Sequence, residues 1–495
     1  MEQNKETLAK DQNSTSRYKK ISKTNPFPYN YREWLPELST ETIQKTLSNP
    51  NRLIRVINYN ILSDSLLPIS TKIKESEIEK LSYLKWENRS TKVLEELQQL
   101  NGDILCIEEI EKDEKYLIPK LSSMGYEFAF KPRTGNHSEG CALSWKKEKF
   151  DLINLLAIEY NMNKTNKDIS PVFDRDNVGL IGILGLKGVD DCIILAAVTH
   201  LVFNKNRGDI KLGQIYQLVK SIDFLKKKYE NEKKKVYVIL GGDMNSTPKS
   251  GIYKLLTTGE LNCEYVDKYK LSGQDPENLQ YVNSKRVKPY LLKSIASKYK
   301  GDIKPSVDEN SGKPIKNYMV DNVKWYNEIC RIEPDFSNPY SITLKYDEKY
   351  RYKDYDIILK LPFKFMSAYS TLCRNVISFI EEPNGKLKKT LPFSLIQDVK
   401  ELDNIEINGI KMGVAEIKKT ISFISGLTLD IPLTSYNSNT LMSSDYIFYH
   451  GEDMKVIRIL NIPDIHKIVF DVGFMPTNEF PSDHFSIGAD FVLGE

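Results

Sequence analysis

Six apolar runs in this 495-residue chain begin or end on a polar residue that a buried strand would not ordinarily carry. Asn60 closes "RVINYN", Glu109 closes "DILCIEE" and His200 closes "IILAAVTH". Asp243 and Asn245 follow "VYVILGG" as "DMN", Asp445 opens "DYIFY", and Asp483 and His484 precede the last run, "FSIGADF". In sheets with both faces covered, strand ends are where ligands are met. The residue types narrow the chemistry. Asn, Glu and Asp are hard oxygen donors suited to Mg²⁺ or Mn²⁺, whereas zinc would want His and Cys sets. Histidine is scarce, five in the whole chain, and two at strand ends can move protons or bond phosphate oxygens near neutral pH. Asp243 and Asn245, two apart on extended backbone, share a face. Each of these residues alone is an ordinary turn or cap. Their conjunction on one strand pattern points to metal-assisted phosphoester hydrolysis. No Ser-His-Asp set with a nucleophile elbow, no Walker loop and no G-x-G-x-x-G at a strand–helix junction competes with that reading.

These residues need elements to hold them. "RLIRVINYNIL", "DILCIEEI", "GCALSWKK", "FDLINLLAIEY", "VGLIGILGL", "CIILAAVTHL" and "KVYVILGGD" read as strands. "WENRSTKVLEELQQL" places Trp86, Val93, Leu94, Leu97 and Leu100 on one helix face, and "DIKLGQIYQLVKSIDFLKKKY" reads as a second helix. Near-continuous apolar strands alternating with helices, with several β-β steps, predict an α/β class: a four-layer sandwich of two packed mixed β-sheets flanked by helices. Residues 1–25 are polar and expected to be disordered, and 26–495 form a single domain. Its Lys-, Asn- and Tyr-rich stretch at about 276–430 reads as a long insertion. Lys226, Lys227, Lys228, Lys233, Lys234 and Lys235 read first as a solvated helix end, with RNA contact as the minority reading.

Composition excludes several classes. Forty per cent hydrophobic and 28% charged residues are globular proportions, and 70 basic against 67 acidic residues leave a net charge of +3, which does not announce a nucleic-acid binder. The cysteines Cys106, Cys141, Cys192, Cys263, Cys330 and Cys373 form no C-x-x-C pair and read as reduced structural thiols. No run of 18 apolar residues predicts a membrane span, and the N-terminus has no apolar core of a signal peptide, so a cytoplasmic or nuclear location is expected.

The segments "YNILSDSL", "DILCIEEIE", "KPRTGNHSEGCALSWKKEKF", "DRDNVGL", "THLVFNKNRGDIKLGQ", "GGDMNSTPKSGIYKLLTTGEL", "SDYIFY" and "PSDHFSIGADF" together resemble the exonuclease-endonuclease-phosphatase superfamily, the DNase I-like fold. Within it the likeness is closest to the deadenylase-type group that contains nocturnin and the Angel proteins. It covers about 50–275 and 430–495 and touches "LPFKFMSAYS". The resemblance implies Glu109 as principal Mg²⁺ ligand, with Mn²⁺ as a substitute, Asn60 positioning the metal or phosphate, and Asp483 close to the metal shell. It implies that Asp243 orients or deprotonates the attacking water, that Asn245 and His200 bond the phosphate, and that Asp445 holds His484 as acid/base. Asn177 would face the substrate. Arg133, Arg207, Tyr59 and Phe203, on or near the motif loops, are candidates for gripping single-stranded RNA. One departure is Glu108 where the family usually has Gln; strand alternation would turn it away from the site. The activity implied is a 3′-to-5′ exoribonuclease of the poly(A) deadenylase type. Hydrolysis of a 2′,3′-cyclic phosphate at RNA ends and a non-catalytic RNA-binding scaffold stand as alternatives.

Overall fold

Strand alternation carries an apolar parity straight through to a polar end residue, and this builds the site. The computed structural model describes residues 32–36, 40–45, 47–111, 117–161, 173–263, 271–274, 333–335, 343–345, 358–372, 405–407, 410–412, 433–437, 441–463 and 473–494. The principal elements are β1 (Trp34–Leu35), β2 (Leu53–Asn60), α1 (Trp86–Leu100), β3 (Ile104–Glu111), β4 (Tyr126–Pro132), β5 (Glu139–Lys146), β6 (Phe150–Glu159), β7 (Val178–Leu186), β8 (Val189–His200), α2 (Gly208–Asn231), β9 (Lys235–Asp243), α3 (Gly251–Thr258), β10 (Met366–Ser367), β11 (Asp445–His450), β12 (Lys455–Leu460) and β13 (Ile487–Val492).

The strands form two sheets, one of seven in the order β1-β12-β13-β2-β3-β5-β4 and one of six in the order β10-β11-β9-β8-β7-β6. Both are mixed: β2 runs parallel to β3 and β8 parallel to β9, with α1 and α2 as the crossovers, and the other pairs are antiparallel. Ile54, Val56, Leu143 and Trp145 of the larger sheet pack against Leu180, Ile194, Ala196 and Ile239 of the smaller one. The outer face of the larger sheet, Ile57, Tyr59, Leu105 and Ile107, is covered by Val93, Leu97 and Leu100 of α1. That of the smaller sheet, Leu195, Ala197, Val238 and Leu240, is covered by Ile215, Leu218 and Ile222 of α2 and Ile252 of α3. This is the helix–sheet–sheet–helix sandwich expected from the strand pattern.

Part of the expected insertion is built into the core. Ile358–Lys360 pairs with Glu260–Asn262, and β10 pairs with β11 at the edge of the six-stranded sheet. Tyr369 then stitches the layers: its hydroxyl donates to Leu460 O (2.7 Å) and accepts from Gly488 N (3.2 Å). Of the rest of 276–430, the structure describes only the short pairs Glu333–Asp335 with Thr343–Lys345 and Ile405–Ile407 with Ile410–Met412. Residues 1–25, Cys330 and Cys373 lie outside the described residues, and the other four cysteines are free and buried. Among the described residues no helix is long and apolar enough to cross a membrane.

The sheets approach closely beneath the polar row. A Cβ on Gly241 would lie 2.6 Å from Asn58 Oδ1 and 2.8 Å from both Cβ and Sγ of Cys106. Those neighbours belong to the opposite sheet and have no room to retreat in a close-packed interior. Gly241→Ala is therefore expected to destabilise the protein by about 1–3 kcal/mol, read as a lower denaturation midpoint at unchanged m-value. An unchanged midpoint would mean that the close approach is not a constraint.

Candidate active site

Parity and register gather the polar residues at one end of the sandwich. On β9, Tyr237 and Ile239 face the other sheet, and Asp243 continues that parity; on β8 so does His200 after Ile194, Ala196 and Val198. Register pairs His200 with Asp243 across β8–β9, and Asp243 with Asp445 across β9–β11. On the facing sheet Asn58 and Asn60 continue the inward parity of Ile54 and Val56. His484 stands just before β13, fixed by a single bridge to Ser435.

The metal-binding candidates meet through Asn60. Its Nδ2 donates to Glu109 Oε1 (2.9 Å) and Asp243 Oδ2 (3.2 Å), while its Oδ1 accepts from Leu62 N (3.1 Å). Asn60 thus bridges the two carboxylates and aims them. Glu109 also accepts from Ser63 N (3.3 Å). Asp483 Oδ2 accepts from Ser70 Oγ (2.5 Å), and its Oδ1 is buried with no hydrogen-bond partner among the described residues. Glu109 reaches inward because it is a bulge: the β3–β5 register slips between Glu108 and Ile110, and Glu109 has φ of +56°. The left-handed region costs a non-glycine residue about 1–3 kcal/mol and is kept where a site needs it. Asn245, with φ of +45°, is a second case.

The bulge also corrects the expectation for Glu108. Ile104 and Cys106 face the other sheet, Glu108 keeps their parity, and the slip lets Glu109 face the same way. Glu108 is fully buried, with Oε2 accepting from Asn58 Nδ2 (3.3 Å) and Oε1 unpartnered among the described residues. Burial, with Asp445 and Asp243 nearby, pushes its carboxyl well above the usual range.

The second cluster gathers around the two histidines. His484 Nδ1 lies 2.9 Å from Asp445 Oδ2, which also accepts from Ser444 Oγ (2.9 Å) and from the Thr434 hydroxyl. The contact spans the gap between the sheets rather than a strand pairing. His484 Nε2 faces Asp243 Oδ2 at 3.8 Å. Asp243, Asp445 and His484 present ligand atoms within 4.8 Å of one another. With Nδ1 committed to Asp445, this trio reads as a proton relay, and the oxygen set of Glu109 and Asp483 suits a hard cation better. His200 Nε2 lies 2.9 Å from Asn245 Nδ2 and 3.5 Å from Asp243 Oδ2. Asp243 Oδ1 accepts from Asn245 N (2.8 Å), closing the "DMN" turn.

Electrostatics separates the two histidines. Burial would lower His484, but Asp445, Asp483 and Asp243 overcome it and hold its pKa well above the ordinary value. His200 is pushed down to about 4 by burial, with Asp243 opposing and the cation of Arg133 assisting. His484 is therefore a cation and His200 a neutral hydrogen-bonding ring near pH 7. Glu109 is pushed up to about 7 by burial and the charge of Asp483, and Asp243 is raised by burial and Asp445.

The substrate candidates separate. Arg133 bonds Glu139 through Nη1 (2.6 Å), and its charge reaches His200. Arg207 is held bidentately by Asp209 (3.0 and 3.1 Å) at the start of α2. Asn177 is buried, its Nδ2 donating to His200 O (3.0 Å) and its Oδ1 accepting from Gln214 (3.2 Å), so its amide holds His200 in place. Tyr59 lies in the core under α1, whereas Phe203 is 70% exposed. The lysine cluster spans the end of α2 and the start of β9, whose first residue is about 25 Å along the strand from Asp243 at ~3.3 Å per residue; Lys226 pairs with Glu230, Lys227 with Asp223, and Lys234 donates to Asp190 O. Sequence reading missed Lys211 and Arg89. Lys211 is fully buried, its ammonium donates to Asn245 O, and burial pushes its pKa down to about 7. A lysine inside the otherwise uncharged "IKLGQIYQLV" was the available signal.

Two outcomes follow from these shifts. The folded protein holds a proton on Glu108 that the unfolded chain releases above its ordinary value near 4.5, so this group's contribution to stability is lost as pH rises. Glu108→Gln should stabilise the protein at pH 8 and not at pH 4, the gap growing by up to about 1.4 kcal/mol per pH unit; a gap independent of pH would contradict the assignment. Because Glu109 is pushed up to about 7, protons compete with a cation below that pH. Mg²⁺ affinity measured calorimetrically should fall about tenfold per unit below pH 7 and level off above it.

Comparison with known proteins adds the lineage. Protein angel homolog 2 of Bos taurus is 34% identical over 224 residues, 44% of this chain and 40% of that protein. Carbon catabolite repressor protein 4 homolog 3 of Arabidopsis thaliana is 33% identical over 244 residues, 49% of this chain and 50% of that protein. The chain thus spans about half or less of these curated relatives. The crystal structure of ANGEL2, a 2′,3′-cyclic phosphatase, in complex with adenosine-2′,3′-vanadate shares the fold, with a TM-score of 0.58 and 23% identity over 94% of this chain and 99% of that one. The sequence profile of the Endonuclease/Exonuclease/phosphatase family matches residues 57–484, nearly the whole fold and every polar strand end that forms the site, and the chain belongs to that family.

Proposed function

We propose that the protein is a divalent-metal phosphodiesterase acting at the 3′ end of RNA, and that its reaction is hydrolysis of a terminal 2′,3′-cyclic phosphate. The observation that carries the phosphoester reading is the meeting of an oxygen-rich carboxylate pair, Glu109 and Asp483, with a separate donor set, His200, Asn245 and the His484–Asp445 dyad, across one gap between the sheets. The sequence likeness to protein angel homolog 2 favours the cyclic phosphate as substrate. The likeness to the carbon catabolite repressor homolog keeps 3′-to-5′ exoribonuclease action, of the poly(A) deadenylase type, as the second reading.

The residues fit a metal. A buried carboxylate oxygen without a partner among the described residues, on Asp483, and a carboxyl raised by burial and by Asp483, on Glu109, are what a hard cation relieves. Glu109 and Asp483 would hold Mg²⁺ or Mn²⁺, with Asn60 orienting Glu109. Bound there, the ion supplies Lewis-acid stabilisation of the charge on the phosphate oxygens. Asp243, anchored by Asn245 N and Asn60, orients the attacking water and accepts its proton. Asn245 and neutral His200 donate to the phosphate oxygens as charge builds. Cationic His484, steadied by Asp445, protonates the departing ribose oxygen. Phe203, exposed on the loop after His200, offers a stacking face for the terminal base, and Arg133 a charge for the phosphate.

The test uses 5′-labelled RNAs ending in 2′,3′-cyclic phosphate, in oligo(A) or in mixed sequence, with Mg²⁺ or EDTA. Opening of the cyclic phosphate without shortening is the expected result. A ladder of shortened products would transfer the assignment to the exoribonuclease reading. No metal-dependent turnover of any of them would leave only a binding scaffold. Glu109→Ala and His484→Ala should each lose about 10²-fold or more in kcat while remaining folded; full activity in either would overturn the site.

A further inference from the structure

Arg89 occupies the first turn of α1 and has no exposed surface. A guanidinium so placed would be expected to face a carboxylate, yet most of its bonds go to backbone carbonyls. Nε donates to Leu84 O (3.0 Å), and Nη1 lies within bonding distance of Ile61 O (3.3 Å), Leu62 O (2.6 Å) and Pro481 O (3.2 Å). Only Nη2 meets a carboxylate, Asp64 at 3.1 Å, whose side chain is 51% exposed. Burying this charge is costly, and it is offset mainly by the carbonyls it gathers.

Three of those carbonyls, Ile61, Leu62 and Pro481, belong to two turns distant in sequence. Ile61 and Leu62 follow Asn60; the next amides along, Leu62 N and Ser63 N, donate to Asn60 Oδ1 and Glu109 Oε2. Pro481 leads into Ser482, Asp483 and His484. A second tie joins the same turns, with Ser482 Oγ donating to Asn60 O (2.7 Å) and accepting from His484 N (3.1 Å). One turn aims Glu109 and the other carries Asp483.

We infer that Arg89 is a positioning residue for the metal: its Nη1, reaching carbonyls of both turns while Nε is keyed to Leu84 O, locks the Asn60–Ser63 turn to the Pro481–His484 turn and so sets the separation of Glu109 and Asp483. This rests on the reading of those two carboxylates as the metal-holding pair. Lysine at this position keeps the charge but has no counterpart of the Nε that anchors the rigid guanidinium to Leu84 O, so its ammonium is not held between the turns. Supports behind a metal ligand typically govern affinity by 10–100-fold. A residue that merely held the fold would lower the melting temperature and leave Mg²⁺ affinity unchanged well below it.

The experiment is calorimetric Mg²⁺ binding to the full chain without substrate, alongside the Mg²⁺ dependence of turnover. Arg89→Lys should bind Mg²⁺ about 10-fold or more weakly, with kcat at saturating Mg²⁺ within about threefold of the unmodified protein. Asp64→Asn, which spares the carbonyl bonds, should bind Mg²⁺ within about twofold of the unmodified protein. A folded Arg89→Lys with unchanged Mg²⁺ affinity would overturn the inference. Should Arg89→Lys not fold, Ser482→Ala decides, since it cuts the parallel tie without removing a charge: several-fold weaker binding supports the inference and unchanged binding overturns it. If the unmodified protein binds no Mg²⁺, the metal reading fails first and the role of Arg89 with it.

Discussion

Repulsion among buried carboxylates is the constraint on which the rest of this structure turns. Glu108, Glu109, Asp243, Asp445 and Asp483 share one seam, none more than 8% exposed. Charges of one sign cannot stand desolvated side by side without compensation. Three cationic side chains supply part of it: His484 among the carboxylates, Lys211 behind Asp243, and Arg89 behind Asp483. Asn58, Asn60, Ser444 and Thr434 supply hydrogen bonds. Burial, together with the repulsion they leave uncompensated, shows as the raised carboxyls of Glu108, Glu109 and Asp243. On the metal reading, the same repulsion that costs stability in the metal-free protein becomes affinity for a cation.

The site is divided between the sheets. The seven-stranded sheet and its loops bring Asn60, Glu109, Asp483 and His484; the six-stranded sheet brings His200, Asp243, Asn245 and Asp445. The Asn60–Asp243 and His484–Asp445 bonds cross between them. The thickness of the apolar core therefore sets the geometry of the polar row, which is why a glycine stands at position 241, one strand repeat before Asp243. Stability and chemistry are coupled here through packing, because a close-packed core cannot give locally without shifting the groups above it.

Strand parity explains what could be read from the sequence. Tyr237, Ile239, Gly241 and Asp243 lie on one face because side chains alternate, so a polar residue ending an apolar run is placed as soon as the run is recognised. The layered architecture followed from the same runs. Parity fails where the backbone departs from it. The bulge at Glu109 brings that carboxylate to the same side as Glu108, and nothing in "CIEEI" distinguishes this from a regular strand. Helix periodicity likewise could not reveal Arg89 or Lys211. A long polar residue near a helix end reads as solvated, and only the loops arriving from elsewhere in the chain make it interior. The "FKFMSAYS" segment was marked by the resemblance and not by periodicity: its two-residue strand is too short for a periodic signal, and its main tie is one tyrosine hydroxyl bonded to Leu460 and Gly488.

The two histidines show how far context outweighs residue type. Both stand at or beside strand ends, His484 buried and His200 with 14% of its side chain exposed, and both lie within 4 Å of Asp243 Oδ2. Desolvation acts on them alike, disfavouring the cation. The difference lies in the second neighbour. His484 has Asp445 at hydrogen-bond distance and Asp483 at 3.9 Å, and so it holds its proton. His200 has Asn245 instead, with Arg133 and Lys211 adding positive charge around it, and it does not. Groups of one kind whose environments drive their proton affinities apart are suited to different tasks, one to give a proton and one to hold a geometry. Asp445 is thus as decisive for the chemistry as the histidine it holds. It arrives from a strand of the opposite sheet, so the division of labour between the two imidazoles exists only once the sandwich has closed.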